Sequence, residues 1–325
     1  MRKISGGNIL SIISGFKMRL KSVRSGYDTW QESLLQYIDR TAQKCLGKTT
    51  MFYYRARASR LFAQLSDAHK PVSKKDNALF IRDVKLPVMS PVYENLLWQC
   101  IYDDTFQVYA EFEDNYSEEI FDACYTKSGE GAYGLVNDRV NVTIQPGDIV
   151  IDAGSWIGDF AAYASVKGAV TYAFEPTDAT FAILEQTAEL NGNIFPVKKG
   201  LSDENTSVQF FINAGGNSGA NRISLPSNSA GYREASSRIQ TTTIDDFVRE
   251  NNLPRVDFIK ADIEGFERHM LAGAQETLAR FAPKLALCTY HLPDDPQIMA
   301  ELILKANPQY NIVQKRMKLF ASVPE

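Results

Sequence analysis

The chain has few cysteines and no long apolar run, and each shortage closes off a class of function. Its four cysteines, Cys45, Cys100, Cys124 and Cys288, contain no C-x-x-C pair, so the sequence offers neither a thiolate zinc site nor a disulfide framework. That usage fits a reduced, cytoplasmic setting. No apolar stretch reaches the roughly 18 residues a membrane-spanning helix needs. Positive charge is not in excess either. With 35 Lys and Arg against 39 Asp and Glu, the formal charge of −4 argues against a nucleic-acid partner held by phosphate contacts. Internal repeats and low-complexity tracts are also lacking.

A chain of 325 residues, 44% of them hydrophobic, is long enough for a large domain with an appendage. The first 24 residues carry Arg2, Lys3, Lys17, Arg19, Lys21 and Arg24, with no acid and with Ile9, Leu10, Ile12, Ile13 and Phe16 between them. Such a segment either packs on the body as a helix or makes a peripheral contact with an anionic membrane surface. Residues 27–70 show helical spacing, with Trp30, Leu34, Leu35 and Ile38 on one face and Phe52, Leu61, Phe62 and Leu65 on a second. Arg55, Arg57 and Arg60 beside Tyr53 and Tyr54 read as a solvated helix face. Residues 71–90, with Pro71, Pro87 and mixed charges, predict a connection with one short strand. Periodicity leaves helix and strand equally open for the aromatic segment within 91–125. The expected division is an N-terminal, mainly helical extension over 1–125 and a catalytic domain over 126–325.

From about residue 140, short apolar runs alternate with helical stretches, the pattern of parallel strands joined by crossover helices. Strands are predicted at 148–153, 169–174, 194–199, 256–261 and 284–290. Between the third and fourth, around 202–243, Asn, Gly and Ser clusters flank "VQFFI" and "RIQTTTI". They predict an inserted hairpin with a long loop at 213–232, a candidate lid.

The stretch "VIDAGSWIGDF" (150–160) stands where the first parallel strand turns into its helix, the place at which open parallel sheets bind ligands. Gly154 permits a tight turn, and Gly158 permits close approach of a ligand or of a helix. A dinucleotide fingerprint would have a middle glycine to admit a pyrophosphate, and here that glycine is missing. Asp152 stands two residues ahead of Gly154, where a carboxylate repels pyrophosphate and attracts a cationic ligand, which tilts the reading to S-adenosylmethionine. Glu175, ending "YAFEP" one strand later, is placed to accept hydrogen bonds from ribose hydroxyls. Its bland alternative is a carboxylate at the start of the next helix.

Further along, "KADIEGFE" places Lys260, Asp262 and Glu264 after the fourth strand, and "CTYHLPDD" places His291 at the end of the fifth. Asp262 is a candidate base or hydroxyl-orienting group, or equally a helix cap. His291, with an ordinary pKa near neutrality, is the candidate proton acceptor. Asp262, Glu264 and His291 also suit Mg²⁺ or Mn²⁺ by donor type, but no metal is expected to be required. His69 and His269 read as structural.

The blocks "GDIVIDAGSWIGDF", "YAFEP", "TTTIDDF" and "FIKADIEGFERHMLAGA", in that order, resemble the signature blocks of the FkbM-type S-adenosylmethionine-dependent methyltransferases over about residues 125–292, and "EGAYG" (130–134) is similar to the segment just upstream. The resemblance implies an α/β, Rossmann-like class I methyltransferase fold with a mostly parallel seven-stranded sheet. It implies O-methylation of a small-molecule or glycan acceptor, a sugar, glycolipid or secondary metabolite. Carried over by position, Asp152, Gly154 and Gly158 form the loop around the methionine end of the cofactor, Glu175 holds the ribose, and Ser202 lies near the adenine. Ser155 and Trp156 depart from the family's usual small or amide residues, which puts the loop's contacts in question. The alternatives from the residues alone are a nicotinamide-dependent oxidoreductase and a non-catalytic cofactor-binding or scaffold protein.

Overall fold

The computed structural model describes residues 72–98, 132–213, 232–235 and 238–324, the backbone of 99–103, positions 117 and 118, and scattered positions between 31 and 63. The basic segment 1–24, His69, Cys45, Cys124 and the heart of the predicted lid, 214–231, lie outside the described residues. The chain divides into two compact units, one of Met1–Lys70 with Met89–Gln99, the other of Pro71–Val88 with Cys100–Glu325. In the first unit the described positions between 31 and 63 are helical, and two buried acids are paired: Glu32 with Arg60 at 2.7 Å, and Asp39 with the Tyr53 N–H at 2.9 Å.

The second unit begins with three antiparallel strands, β1 (Val72–Lys75), β2 (Ala78–Ile81) and β3 (Val84–Pro87), where one strand was predicted. Asp76 and Asn77 both take positive φ, 50° and 59°, the twist that suits a two-residue hairpin turn. This sheet belongs with the large domain rather than with the N-terminal extension. Helix α1 (Pro91–Asp103) settles the aromatic segment as helical over that span, with the buried Trp98 indole donating to Glu94 one turn earlier.

A small hairpin, β4 (Leu135–Val136) and β5 (Asn141–Val142), precedes the alternating part. There the order is β6 (Ile149–Ala153), α2 (Asp159–Val166), β7 (Val170–Phe174), α3 (Asp178–Asn191), β8 (Ile194–Val197) and β9 (Gly200–Leu201). The insertion follows as β10 (Ser207–Val208), β11 (Phe211–Asn213), β12 (Tyr232–Glu234) and β13 (Ile239–Thr242), with β11 and β12 forming the expected hairpin. Then come α4 (Ile244–Glu250), β14 (Phe258–Ala261), α5 (Glu267–Ala272), α6 (Gln275–Phe281), β15 (Lys284–Cys288), α7 (Asp295–Ala306), β16 (Asn311–Lys315) and β17 (Lys318–Ser322). The "TTTIDDF" block is explained locally, since Thr243 caps α4 by accepting the Asp246 N–H at 2.9 Å. Asn191 at the end of α3 ties β3 to this body, accepting the Lys85 N–H and donating to the Lys85 carbonyl.

The main sheet has seven strands in the order β16-β17-β15-β14-β6-β7-β8, with β17 antiparallel to both its neighbours and the rest parallel. This is the Rossmann-like class I methyltransferase arrangement the sequence implied. Ile151, Ala153, Phe174, Ile259, Leu285, Leu287 and Leu319 bury one face of it under α4 to α7. Chain order reverses direction across the sheet between β6 and β14, so the carboxyl ends of these strands open a crevice. Among the described residues, no helix is long and apolar enough to cross a membrane.

Gly154 sits where these two strand ends meet. A Cβ there would lie 2.0 Å from the Asp262 carbonyl oxygen, and φ is 74°. Gly154→Ala is expected to destabilise the fold by at least about 3 kcal/mol, because backbone must move to admit one methyl. Gly192, with φ 69°, ψ 177° and open space around it, is the control, and its alanine variant should lose about 1 to 3 kcal/mol from backbone strain without any clash, less than Gly154→Ala. Chemical denaturation of both variants checks the contrast; equal losses would contradict it.

Candidate active site

The β6–α2 turn is closed by its own backbone. The Gly154 and Ser155 N–H groups both donate to the Phe174 carbonyl, at 3.1 and 2.9 Å, and the Gly158 N–H donates to Ser155 at 2.6 Å. The Ser155 hydroxyl is buried and donates to the Asp152 carbonyl at 2.8 Å, so it serves the turn. Of the two partners expected for Gly158, the structure selects a helix. A Cβ there would meet Leu184 and Thr187 of α3 at 2.7 and 3.1 Å. Trp156, half-buried, holds a left-handed φ of 48° and directs its backbone N–H at the Glu175 carboxylate.

Glu175 is buried at the carboxyl end of β7. Burial raises its pKa, and the Thr177 hydroxyl and N–H, the latter at 2.9 Å, oppose that shift. The Thr180 hydroxyl and the Trp156 N–H donate to it as well, so protein donors take up most of the roughly four acceptor positions a carboxylate offers. Ser202 is buried under the α5–α6 turn, where a Cβ on Gly273 would lie 2.2 Å from its carbonyl, and its hydroxyl donates to Asp203. The exposed polar group at this strand end is therefore Asp203, 3.1 Å from the His269 Nδ1.

Asp152 departs from its expected role as counter-ion to a cationic ligand. Its side chain is 0% exposed, and the Lys260 Nζ lies 3.0 Å from Oδ1. The register explains the pair, since Asp152 of β6 stands directly opposite Lys260 of β14, on the same face. Lys260 also donates to the Gly154 carbonyl at 2.8 Å. Burial alone would lower the lysine pKa, but Asp152, Asp262 and Asp159 hold it above its ordinary value, so Lys260 is a fixed cation rather than an acid or base.

Asp262 follows β14. Its Oδ2 accepts the Tyr133 hydroxyl at 3.0 Å and its Oδ1 the Tyr290 hydroxyl at 3.2 Å. Burial pushes its pKa up, but His291, Lys260, Lys318 and the Tyr133 bond together bring it below the ordinary value, so it is a carboxylate. Lys318, fully buried in β17, sits 3.6 Å over the Tyr133 ring, and the Tyr133 hydroxyl also lies 3.4 Å from the Cys288 Sγ. Tyr133 belongs to the "EGAYG" segment singled out above. Tyr290, Lys318 and Glu267 escaped the sequence reading, and only their places in the sheet and the α5 entry reveal them.

His291 corrects the expected proton acceptor. Its side chain is 3% exposed, with Nδ1 3.0 Å from Glu267 Oε1 and Nε2 3.6 Å from both Asp262 and Glu264. The Glu267 oxygen lies out of line with the ring N–H, so the contact is a close ion pair and not a linear hydrogen bond. Burial alone would lower the imidazole pKa, but Glu267, Asp262 and Glu264 raise it to about 9. With no ion bound, the ring is thus protonated at pH 7 and is no proton acceptor. Glu264 takes a left-handed φ of 58°, so the chain has left the extended path of β14 by that residue.

Residues 150–310 match the model of the methyltransferase FkbM domain. The chain is 28% identical to the hexuronic acid methyltransferase AglP of Haloferax volcanii over 160 residues, which cover 49% of this chain and 62% of that protein. It is 24% identical to the 31-O-demethyl-FK506 methyltransferase FkbM of Streptomyces tacrolimicus, across 50% of this chain and 68% of that one. The first of these relatives is therefore matched over less than two thirds of its length. Among solved structures, the FkbM methyltransferase of Methylobacillus flagellatus KT aligns at 22% identity and a TM-score of 0.41, covering 55% of this chain and 44% of that one.

A raised histidine pKa has a measurable consequence. The folded-state value of about 9 lies above the ordinary 6.5, so the proton on His291 stabilises the fold fully below about pH 6.5, and that contribution is lost as pH rises through about 9. NMR titration of histidine-labelled, chelator-treated protein should show one ring with a midpoint near 9 that disappears in His291→Gln. A midpoint near 6.5 for that ring would refute the charge network. Residues 150–310 are a methyltransferase FkbM domain, and the crevice between β6, β7, β14 and β15 is its candidate active site.

Proposed function

We propose that the chain is an S-adenosylmethionine-dependent methyltransferase that acts on a hydroxyl of a sugar, glycan, glycolipid or secondary metabolite. The observation that carries this reading is the buried Glu175 carboxylate beside the glycine turn, in a domain matched to the FkbM methyltransferases. A carboxylate at this strand end suits ribose hydroxyls, and the turn behind it lacks the middle glycine that would admit a pyrophosphate. The relatives' names add direction, one citing a hexuronic acid and the other a 31-O-demethyl substrate.

The cofactor supplies an electrophilic methyl group on a positively charged sulfur. Glu175 would hold its ribose, the 154–158 backbone would line its methionine end, and Asp203 would stand nearest its base. Asp152 acts one layer back, fixing the turn through Lys260. Asp262, an ionised acceptor aimed by two tyrosine hydroxyls, is the group fitted to orient the acceptor's hydroxyl. His291 in its protonated form balances the carboxylates around it and takes no proton.

Calorimetric titration with S-adenosylhomocysteine tests the reading. Binding is expected, and Glu175→Gln should weaken it about tenfold or more, since charge-assisted hydrogen bonds to the ribose are replaced by weaker ones. Binding of NADH with none of S-adenosylhomocysteine would overturn the proposal in favour of an oxidoreductase. Binding without any methylated product among glycans and small molecules of producing cells, compared by mass spectrometry with cells lacking the protein, would favour a scaffold.

A further inference from the structure

We propose that Asp262, Glu264 and His291 form a binding site for a hard divalent cation, Mg²⁺ or Mn²⁺ by donor type, with Glu267 holding the imidazole from behind. The sequence reading set this metal aside, and the geometry argues for it. Carboxylates crowd the ring, since one oxygen each from Asp262 and Glu267 and one ring nitrogen lie within 4.8 Å of one another, with Glu267 on the Nδ1 side. The His291 ring, 97% buried by its side chain's 3% exposure, brings Nε2 to 3.6 Å from Asp262 Oδ1 and 3.6 Å from Glu264 Oε2. Those separations exceed hydrogen-bond reach, and Nε2 makes no hydrogen bond. A buried imidazole nitrogen spaced away from two carboxylate oxygens is poorly placed for direct contact, whereas neighbouring ligands held about 2.1 to 2.3 Å from a six-coordinate ion stand about 3 to 3.3 Å apart, so a closure of a few tenths of an ångström would seat an ion that replaces the imidazolium proton, released to solvent on binding.

The surroundings suit this arrangement. Glu267 is fixed by the Ile263 and Gly265 N–H groups, at 2.8 and 3.0 Å, and lies 3.0 Å from the opposite ring nitrogen. A carboxylate behind a histidine ligand is the usual way of setting the ring's orientation and raising its basicity. Asp262 has one oxygen held by Tyr133 while the other, besides accepting from Tyr290, retains a lone pair for an ion. One imidazole and two carboxylates leave a six-coordinate ion with positions for water or for a hydroxyl of the acceptor, whose acidity the ion would increase. That last link to methyl transfer rests on the function proposed above, and cation binding itself does not.

Manganese added to the chelator-washed full-length chain provides the probe. Electron paramagnetic resonance should report about one bound Mn²⁺ per chain with a Kd below about 1 mM. Pulsed measurements should show nitrogen coupling from one imidazole. The coupling should vanish in His291→Ala and persist in His269→Ala and His69→Ala. Asp262→Asn and Glu264→Gln should weaken binding about tenfold or more, while Asp294→Asn should leave it unchanged. No saturable binding by the folded wild type, or binding without nitrogen coupling, overturns the proposal without recourse to any variant. S-adenosylhomocysteine titrated into the same wild-type sample separates the two readings. Its binding without Mn²⁺ leaves the methyltransferase standing and removes the cation site. Mn²⁺ binding without it does the reverse.

Discussion

The buried Asp152–Lys260 pair is the constraint on which the site depends. Neither charge could be held in this interior alone, because desolvating an unpaired carboxylate or ammonium is far more costly than the fold can offset. Adjacent strands put the two side chains opposite each other, and the lysine's second bond, to the Gly154 carbonyl, couples the pair to the turn. That turn in turn packs against the backbone leaving β14 so closely that residue 154 has no room for a side chain. The positions of the β6–α2 turn and of the loop after β14 are thus set by one contact between them.

Around this pair the crevice alternates charge. Lys260, Lys318 and His291 face Asp152, Asp159, Asp262, Glu264 and Glu267, with the Tyr133 ring between two of the cations and its hydroxyl on Asp262. Such a network holds Lys260 and His291 protonated and Asp262 ionised. It explains why Asp262 is ionised while the histidine beside it carries a proton. It also explains how one loop, Asp262–Gly265, accommodates two acids and two residues of positive φ, Glu264 and Gly265, in four positions: Glu267 takes the backbone N–H groups of Ile263 and Gly265 and pins the loop in place.

The five parallel strands were legible because strands buried on both faces are continuous apolar runs, as in "IVIDA" and "KLALC". The strands that escaped are antiparallel ones with weak turn signals. Arg316 between β16 and β17, and Arg82 between β2 and β3, take positive φ without being glycine or asparagine, so the sequence gives no punctuation there. The Asp76-Asn77 turn did carry such a signal, hidden in a stretch of mixed charge and prolines. Within the site, the glycines and Glu175 were readable from spacing alone. The helix behind Gly158, the burial of Ser155 and Ser202, and the exposure of Asp203 in place of Ser202 were not, because they depend on which element packs over each loop.

The sequence by itself determined the alternation of strand and helix, the position of the first glycine turn, and the order of blocks that marks a methyltransferase FkbM domain, since each is a local pattern of residue types. Only the tertiary structure decided the partners. Asp152 faces Lys260 because β6 and β14, about 110 residues apart in the chain, lie side by side. His291 is a cation rather than a base because the end of β15 delivers it to three carboxylates belonging to the loop after β14 and the start of α5. Protonation state and ligand geometry are properties of neighbours, and neighbours across a parallel sheet are set by crossovers that no local pattern records.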